Sequence, residues 1–164
     1  MNNLENFIFN SFFLRKYFFK KLLKKIVSIK LIIFDVDGVL TDGSILISED
    51  GVVSKKFNVK DGLGIKILLK EGFKVVFMSG SNSHSIKIRA KQLGITKCII
   101  DAKNKVMEIK KLKIEFGLQE YEIAYVGDDL NDLKVKQNVS LFISPKDAVS
   151  EIRNQSDIIL HSKG

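Results

Sequence analysis

Cysteine, proline and histidine are almost absent from this chain, and each shortage removes a class of explanation. The single cysteine, Cys98, excludes an internal disulfide and any thiolate metal cluster, which fits a reducing cytoplasm. Its neighbours Ile95, Ile99 and Ile100 mark it as a core residue. His84 and His161 match no zinc spacing and read as surface residues, although His84 follows a candidate site loop. Only Arg15, Arg89 and Arg153 are arginines among 27 basic residues. Nucleic-acid readers favour that fork-shaped donor, so no nucleic-acid partner is expected. No apolar run approaches the ~18 residues needed to span a bilayer. The lone Pro145 and the lack of Gly/Ser-rich stretches leave no linker or low-complexity tract.

What remains is one domain's worth of chain, 164 residues with 45% hydrophobic content, enough to bury a core. The net charge of +8 is uneven. Residues 1–30 carry seven Lys/Arg against Glu5 alone, whereas the other 134 carry 20 basic and 18 acidic side chains. Two parts are therefore expected, a basic arm at 1–30 and a domain at 31–164. The arm reads as an amphipathic helix, with Phe18, Phe19, Leu22 and Ile26 on one face and Lys20, Lys21, Lys24 and Lys25 opposite. Such a face suits packing on the body or a neighbouring subunit, or contact with an anionic membrane. It is no secretory signal, because its lysines follow the apolar stretch and no small-residue cleavage site appears.

Beyond the arm, strand-like runs at 31–34, 74–78, 97–100, 123–126, 139–143 and 157–160 alternate with helical patterns. The helices are expected near 61–71, 84–93, 105–116, 129–137 and 146–154, with Pro145 opening the last. The alternation predicts an α/β fold, a Rossmann-like parallel sheet with helices on both faces. One segment departs from it. Residues 45–48, the turn Glu49-Asp50-Gly51 and residues 52–57 read as a β-hairpin rooted just after the first strand.

Chemistry-bearing residues fall at the carboxyl ends of these strands, where open parallel sheets build their sites. The first strand runs into Asp35-Val36-Asp37-Gly38. In extended backbone the two aspartates project to the same side. Paired carboxylates repel unless a cation or proton relieves them, and a hard divalent ion suits oxygen ligands. Asp and Gly also make ordinary turns, so this stretch speaks only together with its partners. The 74–78 strand ends in Ser79-Gly80-Ser81, the helix after the third strand begins near Lys105, and the fourth strand runs into Gly127-Asp128-Asp129, then Asn131 and Asp132.

This order resembles the haloacid dehalogenase superfamily of phosphohydrolases, matched here from about residue 31 to 160. The resemblance implies that Asp35 is the nucleophile, forming an aspartyl-phosphate, and that Asp37 is the general acid and base. Ser79 would hydrogen-bond the phosphoryl oxygens and Lys105 would balance their charge. Asp35, Asp128 and the backbone carbonyl of Asp37 would hold Mg²⁺, with Asp129 and Asp132 in support. Only 22 residues, 105–126, precede Gly127 from Lys105 onward, too few for a cap domain in addition to a helix and a strand. The interval from Asp37 to Ser79 holds only the hairpin and one helix.

Residues 35–43, 57–65 and 124–132 are similar to the capless 3-deoxy-D-manno-octulosonate 8-phosphate phosphatase family of lipopolysaccharide synthesis. The resemblance implies a cytoplasmic homotetramer in which one subunit's hairpin borders the next subunit's site. It also implies substrate contacts at Asp37, Asn58, Val59, Lys60, Asp61, Gly62, Lys66, Ser81, Arg89 and Lys105, facing a small anionic sugar phosphate. Two departures bear on the substrate. Ser79-Gly80-Ser81 stands where the family has Thr-Gly-Arg, and the family's Gly-rich C-terminal tail has no counterpart beyond Gly164. A nonulosonate 9-phosphate phosphatase of the sialic-acid type is an alternative, as is a non-catalytic subunit on the same fold. The latter would lack a nucleophile or metal carboxylate, and Asp35, Asp37, Lys105 and Asp128 are all present.

Overall fold

The computed structural model describes the backbone of residues 3–164 and the side chains from Lys16 onward. Met1, Asn2 and the earlier side chains of the expected arm lie outside the described residues. The chain opens with α1 (Asn3–Ser28), enters β1 (Leu31–Phe34) and leaves it through a hairpin of β2 (Leu46–Ile47) and β3 (Val53–Ser54). It then alternates through α2 (Val59–Lys70), β4 (Lys74–Met78), α3 (His84–Leu93), β5 (Lys97–Ile99) and α4 (Lys105–Phe116). The last part comprises β6 (Ile123–Val126), a 3₁₀ segment (Leu130–Asn138), β7 (Leu141–Ser144), α5 (Ser150–Gln155) and β8 (Ile158–Ile159).

Six parallel strands form one sheet in the order β5-β4-β1-β6-β7-β8, and β2-β3 form a separate antiparallel pair. The chain winds outward from β1 through β4 to β5, then crosses to β6 on the other side of β1. The carboxyl end of β1 is therefore the switch point of the sheet, where a crevice opens between the diverging connections.

Side-chain alternation along the strands builds the two faces. Leu31 and Ile33 of β1 join Val76, Met78, Tyr125, Ile109 and Leu112 in a buried cluster beneath α4 and α5. On the opposite face, Val75 and Phe77 pack with Ile65 of α2 and Ile86, Ala90 and Leu93 of α3. Cys98 is half-buried against that second cluster. Asn58 caps α2 and Asn104 caps α4 through their side-chain oxygens, while left-handed Gly94 and Gly117 end α3 and α4.

The end of α1 is seated on the body. Leu22 packs against a cluster of Ile29, Ala124 and Leu141, and Lys25 pairs with Asp157 at 2.6 Å. Of the four residues expected on its packing face, only Leu22 is half-buried; Phe18, Phe19 and Ile26 are exposed.

Three expected elements are corrected. The 129–137 region is a 3₁₀ segment, because Asp132 turns inward to accept from the backbone N–H groups of Asp128 and Asp129. Consequently β7 begins at Leu141 and not at 139. The last helix starts at Ser150, because Arg153 donates to the carbonyls of Lys146 and Ala148 and holds residues 146–149 as a turn after Pro145.

Candidate active site

The functional side chains lie on the segments that follow the strands. Asp35 follows β1, and its backbone N–H donates to Val126 O at 2.9 Å, continuing the ladder one residue past the strand. Gly38 has φ +78°, a left-handed turn that L side chains rarely adopt. Ser79 follows β4, Lys105 opens α4 and Asp128 follows β6.

Lys105 is the electrostatic hub. Its ammonium, with 5% of the side chain exposed, lies 2.8 Å from Asp35 Oδ2 and 2.7 Å from Asp132 Oδ1. Burial works to lower its pKa, but the two carboxylates outweigh burial and raise it. Asp132 is fully buried and also accepts from Tyr125 Oη at 2.6 Å and from Asp128 N at 3.2 Å. Asp35 is pushed up to about 8 by burial and then by Asp132, against the pull of Lys105. Asp128 rises to about 7, again through burial first and then through Asp132 and Asp129.

A cleft of about 300 Å³ opens above this network, lined by Asp35, Asp37, Ser81, Asp128, Asp129 and Asn131, with glycines at 38, 43 and 80. Asp35, Asp128 and Asp132 each direct a carboxylate oxygen into a volume less than 4.8 Å across. They differ in what they have left to give. Asp132 is saturated by an ammonium, a phenol and backbone amides, whereas buried Asp128 Oδ1 has no hydrogen-bond partner. An orphaned anionic oxygen beside a second raised carboxylate is what a hard divalent cation satisfies. The residues present therefore fit Mg²⁺, which Asp35 and Asp128 would hold with Asp132 behind them.

The Asp37 carboxylate lines the same cleft but is held by partners of its own. Its Oδ2 accepts from Ser79 Oγ at 3.2 Å, and its Oδ1 is bound by Lys55. Ser79 Oγ accepts in turn from Ser81 N at 3.0 Å. Lys55 and Tyr125 were absent from the residues singled out by sequence. The signal for Lys55 was its register, since it shares one side of its extended run with Val53 and Phe57.

The structure does not bring all expected contacts together within this chain. Asn58, Asp61, Gly62 and Arg89 line a small separate cavity with Phe57 and Leu93. Arg89 donates to Asn58 O at 3.0 Å and covers Gly62, where a Cβ would lie 2.6 Å from Arg89 Nη2. Val59, Lys60 and Lys66 are exposed and none of them lines the cleft. Gly164 packs against the Gly38 carbonyl beside the cleft.

No protein-family model matches the chain. Individual proteins do. The 3-deoxy-D-manno-octulosonate 8-phosphate phosphatase KdsC of Salmonella typhi is 34% identical over 142 residues, covering 87% of this chain and 76% of that protein. The structure of the phosphatase of that name from Yersinia pestis superposes with a TM-score of 0.85 at 32% identity, over 88% of this chain and 78% of that one. The Moraxella catarrhalis phosphatase, solved with magnesium, phosphate and a KDO molecule, gives 0.84 at 34% identity, over 88% and 83% of the two chains. With the carboxylates, serine and lysine drawn to one crevice at the switch point, this chain belongs to the 3-deoxy-D-manno-octulosonate 8-phosphate phosphatase family of the haloacid dehalogenase superfamily.

Proposed function

We propose that the protein is a Mg²⁺-dependent phosphomonoesterase that hydrolyses 3-deoxy-D-manno-octulosonate 8-phosphate in lipopolysaccharide synthesis. The observation that carries this reading is the buried Asp35 carboxylate held between Lys105 and the unpartnered oxygen of Asp128. Relatives named for that activity support the substrate.

In this mechanism a carboxylate oxygen of Asp35 attacks phosphorus, and the bond to the sugar oxygen breaks. Asp37 gives its proton to the departing alkoxide. It then takes a proton from the water that attacks the aspartyl-phosphate, so phosphate leaves and Asp35 returns as a carboxylate. Ser79 and the amides of its loop donate to the phosphoryl oxygens, while Lys105 offsets their charge. Asp35, Asp128 and the Asp37 carbonyl would hold Mg²⁺, which would supply the positive charge that lets an anionic nucleophile approach an anionic phosphate.

We further infer a cytoplasmic homotetramer. The hairpin exposes Leu46, Ile47, Val52 and Val53, and α2 exposes Val59, Leu63 and Ile67 along one helical stripe. Burying these rows between subunits would carry Asn58, Lys60 and Lys66 toward a neighbouring cleft as substrate contacts. Arg89 would act through Asn58.

Phosphate release from purified sugar phosphates tests the reading. Turnover of the octulosonate 8-phosphate should exceed that of a nonulosonate 9-phosphate, require Mg²⁺ and vanish in Asp35→Asn. Preference for the nonulosonate would replace the substrate, and metal-independent turnover would remove the mechanism. Light scattering that gives a fully active monomer would remove the tetramer.

A further inference from the structure

Lys55 stands apart from the segment that carries it. The hairpin around it is open to solvent, with Ile47 68% and Val52 56% exposed, yet only 2% of the Lys55 side chain is exposed. An ammonium withdrawn from water is tolerated only against an anion. The described structure supplies one, the Asp37 carboxylate. Methionine or leucine could root the hairpin by packing alone, so the charge calls for a further reason.

That reason lies in how the Asp37 carboxylate is held. Its two oxygens have partners from different elements, Lys55 at the root of the hairpin on Oδ1 and Ser79 at the end of β4 on Oδ2. The carboxylate plane is thereby fixed at the cleft wall. The two partners differ in permanence. A serine hydroxyl rotates freely and can turn its single proton from Asp37 to an arriving phosphoryl oxygen. The ammonium of Lys55, enclosed on its stem, stays on Oδ1.

We propose that Lys55 is a positioning residue for the acid–base step: it holds Asp37 through Oδ1 and so dedicates Oδ2 to exchanging the proton with the leaving alkoxide. This inference rests on the phosphatase reading given above. When substrate binds, the Ser79 hydroxyl moves to the phosphoryl group and frees Oδ2. That oxygen, carrying the proton, faces the sugar oxygen. As the P–O bond breaks, the proton passes from Oδ2 to the alkoxide and Asp37 is left as a carboxylate on Lys55. The proton that Oδ2 delivers is the one Asp37 takes from the hydrolytic water of the preceding turnover, or from solvent in the first, so atoms and charge balance over the cycle.

The chemistry provides a diagnostic that a merely structural role would not produce. An alkoxide leaving group needs the proton, whereas p-nitrophenolate is stable enough to leave without one. The value of kcat/KM covers the steps up to departure of that group and is the quantity to compare. Lys55→Met should lower kcat/KM for the sugar phosphate by about 100-fold, the scale of a misplaced general acid. The same variant should change kcat/KM for p-nitrophenyl phosphate less than about threefold, which also shows that it has folded and loads Mg²⁺. Lys55→Arg, which keeps a cation on Oδ1, should recover most of the loss.

An equal fall on both substrates would make Lys55 a structural anchor and overturn the proposal. An unchanged or faster sugar-phosphate rate would overturn it too, since the lysine would then obstruct the site. The substrate reading fails separately. If the wild type takes another alkyl phosphate in place of the octulosonate, the same comparison is run on that ester. A wild type inert to every phosphate ester removes both readings.

Discussion

Gly38 and Asp128 come so close that a methyl group on Gly38 would overlap the Asp128 carboxylate. The glycine serves two needs at once. Its φ of +78° turns the chain after Asp37, and its bare Cα leaves room for the carboxylate with the orphaned oxygen. Gly38→Ala should therefore fail on both counts. A rigid Cβ must displace either Asp128 or the Asp35–Asp37 turn, and the left-handed backbone adds about 1 kcal/mol of strain. Mg²⁺ affinity measured by calorimetry should fall at least about tenfold, a loss of 1.4 kcal/mol, with activity falling alongside it. Normal Mg²⁺ binding in this variant would show that Asp128 is not a ligand.

Asp132 should matter for stability as well as for rate. It is fully buried and shares the Lys105 ammonium with Asp35. A Cβ on Gly127 would lie 2.6 Å from Asp132 Oδ2, so the loop is built tightly around this carboxylate. Asp132→Asn keeps the volume but removes the charge and offers an NH₂ group where an amide or ammonium must donate. Breaking a buried ionic network from one side costs about 3–5 kcal/mol. Urea unfolding should register a loss of that size. Tyr125→Phe removes one neutral donor and should cost nearer 1 kcal/mol. Equal midpoints for Asp132→Asn and wild type would contradict this account.

The same carboxylates set the pH response of the metal-free protein. Asp35 and Asp128 are raised in the fold to about 8 and about 7, through burial and the neighbouring Asp132. An unfolded chain releases these protons near pH 4. Between roughly pH 4 and 8 the folded state thus binds more protons than the unfolded state, and stability falls as pH rises. Asp42 and Asp50 are lowered by hydrogen bonds from their neighbours. They act in the opposite sense, but only below about pH 4. Thermal unfolding in EDTA should give a lower Tm at pH 8 than at pH 5. Added Mg²⁺ should narrow or reverse the gap, because the cation favours the ionised forms. A Tm in EDTA that rises from pH 5 to pH 8 would contradict the assignment.

Much of the fold was legible because burial and punctuation agree locally. β1, β4 and β6 are short apolar runs in the middle of the sheet and lie where the pattern places them. α3 and α4 end at glycines that supply the left-handed cap. Legibility failed where a long-range partner decides the local structure. Asp132 belongs to the acidic motif that the sequence marks, inside an expected helix, but its bonds to Lys105, 27 positions earlier, and to the backbone N–H groups of Asp128 and Asp129 turn the segment inward as 3₁₀. Lys55 reads as one hairpin lysine beside another, and only the fold joins it to Asp37, 18 positions earlier. The contacts expected at Asn58, Lys60, Lys66 and Arg89 illustrate the converse. A motif can be plain in the sequence while a single chain leaves it outside the cleft.

Ser81 is where this chain departs from the Thr-Gly-Arg pattern, and its setting makes the departure testable. The residue is half-buried and lines the cleft, while its backbone is fixed by N–H donation to Ser79 Oγ and by acceptance from Asp101 N. Changing the side chain leaves both bonds in place. At Gly80 beside it, an added Cβ would meet nothing within 4 Å, so there is open space for a longer chain to turn into. Ser81→Arg should therefore fold normally and add a cation to a wall that now offers only a hydroxyl. A charge-assisted hydrogen bond to an anionic sugar acid contributes about 1.5–3 kcal/mol, or about ten- to a hundredfold in binding. KM for the octulosonate 8-phosphate should drop within that range, with kcat nearly constant because uniform binding does not assist the chemical step. A neutral sugar phosphate should gain less, since it offers no carboxylate to the new guanidinium. The ratio of the two KM values is thus the measurement to make. An unchanged ratio would mean that another cation, with Lys60 of a neighbouring subunit the first to test, already holds the sugar acid.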